Sequence, residues 1–155
     1  MNKALFRAFL DQVTQDDEFM SYLGLTTVSE DTEIRKRIFN YLPTEFINLP
    51  RVIFENSVRG NPNSDIPFLR DKTIRIFCQT NDQTMNLNEK ILNRINELIE
   101  EETLPILSTD NVNYWTCFQY TGEGTVPLVA SDVYTYFYEY EITVSPRKNK
   151  VLENL

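Results

Sequence analysis

Residues Val133 to Val144, VYTYFYEYEITV, alternate with a period of two along their whole length. Side chains two residues apart on an extended strand point to the same face of a sheet. One face of this stretch therefore carries four tyrosines and two aliphatic residues: Tyr134, Tyr136, Tyr138, Tyr140, Ile142 and Val144. Aromatic and β-branched residues are the types enriched in strands. The pattern predicts one long strand, which needs neighbouring strands and a cover over at least one face.

The N-terminal part predicts helices instead. Met1 to Leu23 has apolar residues at helical spacing, and the run TQDDEFMSYLGL predicts a second short helix capped by Thr14 or Asp16. The segment SEDTEIRKRIFNYLP predicts a third helix, capped by Ser29 and limited by Pro43, because the residue before a proline avoids the helical region. Its inward-facing residues are expected to be Ile34, Ile38, Phe39 and Leu42.

The middle of the chain predicts a strand, a loop, a strand and a helix. Arg51–Glu55 and Lys72–Thr80 read as strands, and Asn56–Arg70 between them has the Gly, Pro, Asn and Asp content of a long hairpin loop. A helix then begins at Asn81 or Asp82 and ends near Glu102. Its apolar face holds Leu87, Ile91, Ile95, Leu98 and Ile99, and its opposite face holds Asn88, Lys90, Asn93, Arg94, Glu97 and Glu101. We expect its acidic end, Glu100 to Glu102, to fray into solvent.

The last third completes the sheet. Thr109–Asn113 predicts a turn, Val112–Tyr120 a strand and Thr121–Pro127 a loop, with a polar tail from Ser145 onward. Strands joined by loops pair antiparallel most simply. The predicted class is α+β: a mainly antiparallel four-stranded sheet with a long helix packed on one face, preceded by N-terminal helices. We expect a single domain over residues 1–155, made of a helical part (1–43), an α+β core (51–144) and the tail (145–155).

Composition restricts the chemistry. The chain has no histidine, so catalysis by Ser-His-Asp or Cys-His and His-ligated zinc are excluded. The two cysteines, Cys78 and Cys117, are too few for a four-thiolate zinc site and read as small core residues. Neither a secretory signal nor an apolar run of the roughly 20 residues that span a bilayer is present, so we expect synthesis in the cytoplasm. The net charge of −8 disfavours binding of duplex DNA by the average surface.

The remaining motifs favour structural roles. TGEGT lacks the ending of a phosphate loop, and NPNSD lacks the glycine and distal glutamate of a calcium loop. Glu139 and Glu141 share one strand face without an evident third ligand, and Arg35 to Arg37 read as a solvent face of the third helix. No catalytic, cofactor-binding or metal-binding residue emerges, so we do not expect an enzyme. The tyrosine face has two readings, as sheet core or as a partner-binding surface.

The order of segments carries a family resemblance. A helical part is followed by LPRVIFEN, a loop with IPFLRDKTIRIFCQT, the helix NLNEKILNRINELIEE and the final DVYTYFYEYEIT. Over roughly Ile34 to Val144 this order resembles the tail terminator (tail completion) proteins of long-tailed bacteriophages. The resemblance implies a structural virion protein located in the tail or neck. It also implies that the subunits form a six-fold ring that caps the tail tube and joins tail to head.

On this hypothesis the partners are other copies of the chain, the tail tube protein and the head–tail connector protein. Genomic DNA passes through the lumen without specific binding, and no membrane or cofactor takes part. The predicted interface residues come from the two loops, the tyrosine strand and the tail: Arg59, Asn61, Asp65, Phe68, Glu123, Tyr134, Tyr136, Tyr138, Arg147 and Lys148. The alternatives are a head-completion or neck protein, an adaptor or inhibitor that binds a host protein through its tyrosine-rich strand, and a small-molecule-binding domain.

Overall fold

The computed structural model describes residues 2–43, 48–55, 69–106, 114–127, 130–145 and 148. Within these ranges the chain forms four helices: α1 (Asn2–Val13), α2 (Asp17–Tyr22), α3 (Asp31–Ile34) and α4 (Asn86–Ile99). The same ranges contain six strands: β1 (Ile38–Phe39), β2 (Arg51–Glu55), β3 (Leu69–Thr80), β4 (Thr103–Ile106), β5 (Tyr114–Val126) and β6 (Tyr134–Ser145).

The strands form one six-stranded sheet in the order β1-β2-β3-β6-β5-β4. β1 is parallel to β2, and all other neighbours are antiparallel. The α+β class is confirmed, whereas the prediction of four strands is wrong, because β1 and β4 extend the sheet at its two edges. These two strands have only two and four residues, too few for a period-two pattern to be distinguished.

The predicted third helix is the clearest error in the N-terminal part. α3 is a single turn, and Ser29 does not cap it, since its hydroxyl accepts a hydrogen bond from the Thr26 N–H at 2.9 Å. The chain then pairs with β2, starting with a hydrogen bond of 2.8 Å from the Val52 N–H to the Arg37 carbonyl. Ile34 and Ile38 are buried as predicted, but Leu42 is 69% exposed.

α4 is shorter at both ends than predicted. Asp82 lies before the helix, in a turn where its Oδ2 accepts the N–H of Leu87 at 3.0 Å. At the other end the acidic residues do not fray: Glu100 forms a bridge with Phe118, whose carbonyl accepts the Glu101 N–H at 3.0 Å. The end of α4 is therefore joined directly to β5 and leads into β4.

The TGEGT stretch belongs to β5, so the loop predicted at Thr121–Pro127 is wrong. Its residues pair with β6 up to Val126, after a bulge between Tyr120 and Gly122. Gly124 lies opposite Phe137, whose ring would be 3.0 Å from a Cβ at position 124. Glycine is therefore needed here for close approach of an aromatic ring and not for a turn. Most of the loop predicted at Asn56–Arg70 and the turn at Thr109–Asn113 lie outside the described residues.

Both long helices cover the same face of the sheet. One hydrophobic cluster joins side chains of α1, α2 and α4 to those of the strands. Phe54 of β2 connects the layers, with ring centroids 5.1 Å from Phe9 and 6.3 Å from Phe118. We call this covered side the helix face of the sheet and the opposite side the outer face.

A charged contact fixes α2 to α4. Asp16 caps α2, as predicted for one of two candidate residues, by accepting the Phe19 N–H at 2.8 Å. The same carboxylate receives two hydrogen bonds from the Arg94 guanidinium, at 2.6 and 2.9 Å. The bonds from Arg94 lower the pKa of Asp16 below its usual value against the opposing effect of burial. This carboxylate therefore stays ionised and holds the two helices together.

The contact between Gly124 and Phe137 gives a test of this strand assignment. We expect Gly124→Val to destabilise the protein by about 1–3 kcal/mol, because its side chain would displace a ring packed against Phe77 at 5.5 Å. Urea unfolding followed by circular dichroism measures the loss. Gly122→Val is the matched control, since no atom lies within 4 Å of a Cβ there. Equal stability of the two variants would contradict the packing described.

Candidate functional site

The tyrosines of β6 lie on the helix face, so part of the predicted partner surface belongs to the core. Tyr140 is fully buried, and its hydroxyl donates to Asn96 Oδ1 of α4 at 2.8 Å. Tyr138 is 6% exposed, and its hydroxyl donates to Asn93 Oδ1. Buried phenol groups need such partners. The core reading is therefore confirmed for these two tyrosines.

Asn88 makes the deepest of these contacts between α4 and the sheet. Its side chain is fully buried and donates to the carbonyls of Cys78 at 2.8 Å and Tyr134 at 3.0 Å. The hydroxyl of Thr80 donates to its Oδ1. Its predicted place on the solvent face is wrong. Its spacing of three residues to Ile91 and seven to Ile95 was the available signal, because that spacing places all three on one stripe.

The row of tyrosines on β6 is partly exposed on the helix face where β5 lies beside it. Glu123 pairs with Tyr138, and Thr125 pairs with Tyr136, so their side chains share a face. The ring of Tyr138 lies 5.2 Å from that of Tyr120 and 6.2 Å from that of Tyr136. Tyr120 and Tyr136 are half-buried, and Glu123 is exposed. We call Tyr120, Glu123, Tyr136, Tyr138 and the nearby Glu89 of α4 the tyrosine–acid surface.

Burial and the neighbouring acids together determine the electrostatics of the tyrosine–acid surface. Burial, and then the charge of Glu123, raise the pKa of Tyr120 and Tyr136. The same two causes raise the pKa of Tyr138, with a further contribution from Glu89. The phenols thus stay neutral hydrogen-bond donors beside a carboxylate. A negative charge among aromatic rings is suited to a cationic partner, since the rings attract cations as well.

The predicted interface residues fall in three places. Glu123, Tyr136 and Tyr138 come together in the tyrosine–acid surface, and Tyr134 precedes them on the same face. Lys148 lies apart from them at the far end of β6, with its Nζ 5.5 Å from the Trp115 ring. The others lie outside the described residues: Arg59, Asn61, Asp65, Phe68 and Arg147. Their role as an interface stays a prediction.

The outer face offers a groove that the sequence did not indicate. It has a volume of about 400 Å³ and is lined in part by Ile53, Phe77 and Val126. Tyr41 and Leu42, 62% and 69% exposed, form one wall at the β1 side. The groove was not predicted because the sequence up to Pro43 reads as a helix, with Leu42 on its inward-facing stripe.

The remaining candidates from the sequence have structural surroundings. Glu139 forms an ion pair with Arg75 at 3.0 Å, and this pair lies on the outer face. Cys78 and Cys117 are separate buried thiols. Across the described ranges, no group of three acids or cysteines is arranged to hold a metal. In the same ranges, no helix has the length and apolar character needed to cross a bilayer.

Comparison with known proteins gives information about the fold. No family model matches the sequence, and no curated protein matches it. The structure is similar to a chain of the solved structure "Virion of native gene transfer agent (GTA) particle", with a TM-score of 0.66 and 12% sequence identity. The likeness covers 92% of this chain and 95% of that chain. The two chains share one fold.

Glu123→Gln tests the composition of the tyrosine–acid surface. Removing a negative charge that raises the pKa of Tyr120 and Tyr136 should shift their ionisation to lower pH. Spectrophotometric titration of the phenolate band follows this shift. Glu102→Gln, an exposed acid outside this surface, is the control and should leave the titration of these tyrosines unchanged. Identical curves for Glu123→Gln and the unmodified chain would show that Glu123 does not lie beside the phenols.

Proposed function

We propose that this chain is a structural protein of a phage-like virion, and within the virion a tail terminator subunit. The observation that carries the proposal is the shared fold with a chain of a gene transfer agent virion over nearly the whole length of both chains. The tail position comes from the resemblance of the segment order to tail terminator proteins. On this proposal the subunits form a six-fold ring that caps the tail tube and joins it to the head.

A closed ring requires two different surfaces on each subunit, which meet head to tail. The tyrosine–acid surface has the composition of one such surface, because tyrosine is enriched at protein interfaces. Arg59, Asn61, Asp65 and Phe68 remain the proposed contacts to the tail tube and connector proteins. The stretch Thr121–Val126 is not a projecting loop that could make such contacts, since it pairs within the sheet. None of these roles requires a catalytic group or a cofactor.

The net charge of −8 fits a subunit around a DNA passage. Phosphate groups are repelled by a generally acidic wall, so DNA moves past it without being held. We therefore propose genomic DNA as a transient occupant of the lumen and not as a ligand. The position of the protein is then the tail or neck of the particle.

Ring formation is the first expected outcome. Negative-stain electron microscopy of the purified chain, at high concentration with magnesium, should show uniform rings with an open centre. Light scattering should give a mass of about 109 kDa for six copies of the 18.2 kDa chain. A tight one-to-one complex with a host protein, without rings, would instead favour the adaptor alternative.

Truncation after Ser145 tests the proposed role of the basic tail. Ser145 itself belongs to β6 and is 1% exposed, so the deletion begins at residue 146. If Arg147 and Lys148 dock on the acidic body of a neighbour, assembly should weaken while circular dichroism shows a folded monomer. Replacing Arg147, Lys148 and Lys150 with Gln is the matched control, because it removes charge without shortening the chain. Unchanged assembly in both variants would exclude tail docking.

A further inference from the structure

Three basic residues lie beside the β1 edge of the sheet, directly after the acidic turn of α3, and acidic residues lie near the opposite edge. Arg35, Lys36 and Arg37 lie immediately before β1, and we call them the basic segment. Arg35 and Lys36 are exposed, and Lys36 forms an exposed ion pair with Glu33 at 3.2 Å. Arg37 is held in place by donating to the Pro50 carbonyl at 3.3 Å. The β1 edge therefore presents a positively charged segment in a defined position.

The opposite edge is open beside the tyrosine–acid surface. β4 pairs with β5 only from Tyr114 to Cys117, and the bridge from Glu100 reaches Phe118. Beyond this point, no strand in the described part of the chain pairs with Gln119–Val126 on the side away from β6. The exposed Glu123 lies on this open stretch. As far as the described residues go, this edge carries the negative charge of Glu123 and has backbone groups without a strand partner, which are a template for association.

The two charged regions lie on opposite sides of one row of paired residues that crosses the sheet. Ile38 of β1 pairs with Val52, Val52 with Cys78, and Cys78 with Tyr136. Tyr136 pairs in turn with Thr125 of the open stretch. This row crosses five strands, a width of about 19 Å. Arg37 lies one residue from this row and Glu123 two residues from it in the opposite direction. A second copy beside the first therefore brings its basic segment next to the tyrosine–acid surface when it is shifted along the strands by about three to five residues.

We propose that the basic segment of one copy of this chain docks on the tyrosine–acid surface of the next copy. The proposal rests on the proposed ring function and names the surfaces that meet in it. Arginine and lysine side chains then lie among Glu123, Glu89 and the rings of Tyr120 and Tyr136. Both the charges and the aromatic faces attract these cations.

The proposed contact is head to tail because each copy carries both halves. One half lies at the β1 edge and the other at the β5 edge, so a docked copy always leaves one of each free. Such an interface continues until the assembly closes. In the described ranges, neither Arg35 nor Glu123 has an ion-pair partner within its own chain. Docking therefore breaks no existing ion pair of these two residues.

Charge reversal tests the pairing. Glu123→Lys and Arg35→Glu should each weaken self-association by about tenfold or more, because each places like charges together. The chain that carries both substitutions should regain association. An equimolar mixture of the two single variants should also regain it, as alternating copies, since each reversed surface then meets its complement. Sedimentation velocity at several protein concentrations measures these changes.

Glu102→Lys is the matched control, because it changes the net charge by the same amount from an exposed position outside the proposed contact. Circular dichroism checks that every variant is folded, and Glu123→Gln replaces Glu123→Lys if the lysine variant is not. Rings that are insensitive to both charge reversals would overturn the docking and leave the ring proposal standing. A chain that never self-associates would count against both.

Cross-linking tests directly whether the basic segment of one copy lies beside the tyrosine–acid surface of the next. The two native cysteines are buried, so a cysteine introduced at an exposed position reacts selectively. Arg35→Cys mixed with Glu123→Cys should give a disulfide-linked dimer under mild oxidation. Arg35→Cys mixed with Glu102→Cys should give much less. Equal yields from the two mixtures would contradict the proposed contact.

Discussion

The packing of α4 on β6 is the contact on which the rest of this structure depends. β6 lies in the middle of the sheet between β3 and β5, and α4 crosses these strands. Asn93 and Asn96 accept hydrogen bonds from the hydroxyls of Tyr138 and Tyr140. Asn88 donates hydrogen bonds to strand carbonyls. Buried polar groups are costly unless they are paired, so these contacts define one position of the helix. An all-apolar contact would permit more than one position of the helix.

Long elements with a regular period were predictable from the sequence. The alternation from Tyr134 to Val144 and the apolar stripe of α4 each repeat often enough to identify a strand and a helix. Short elements were not predictable in this way. Ile34 and Ile38 have helical spacing and are both buried, yet one ends α3 and the other begins β1. Two apolar residues four apart fit either structure, and only the pairing with Val52 decides between them.

The candidate surface was predictable in its residue types but not in its arrangement. A strand with four tyrosines indicated either a core or an interface. In the structure, the tyrosines that lie deepest beneath α4 belong to the core and the others are partly exposed. The position of Glu123 beside Tyr138 depends on the register of β5 against β6, which is a long-range property. The basic segment and the open edge of β5 lie almost ninety residues apart in the sequence, so only the completed sheet relates them.

The bulge between Tyr120 and Gly122 determines which residues β5 presents on each side. Before it, Phe118 and Tyr120 face the helices; after it, Glu123 and Thr125 do so. One added residue has changed the parity of the strand. With Thr121 kept and the bulge straightened, regular alternation from Tyr120 would turn Glu123 to the outer face and bring both glycines under the helices. The set of side chains that this edge presents to a partner therefore depends on one backbone irregularity as well as on residue type.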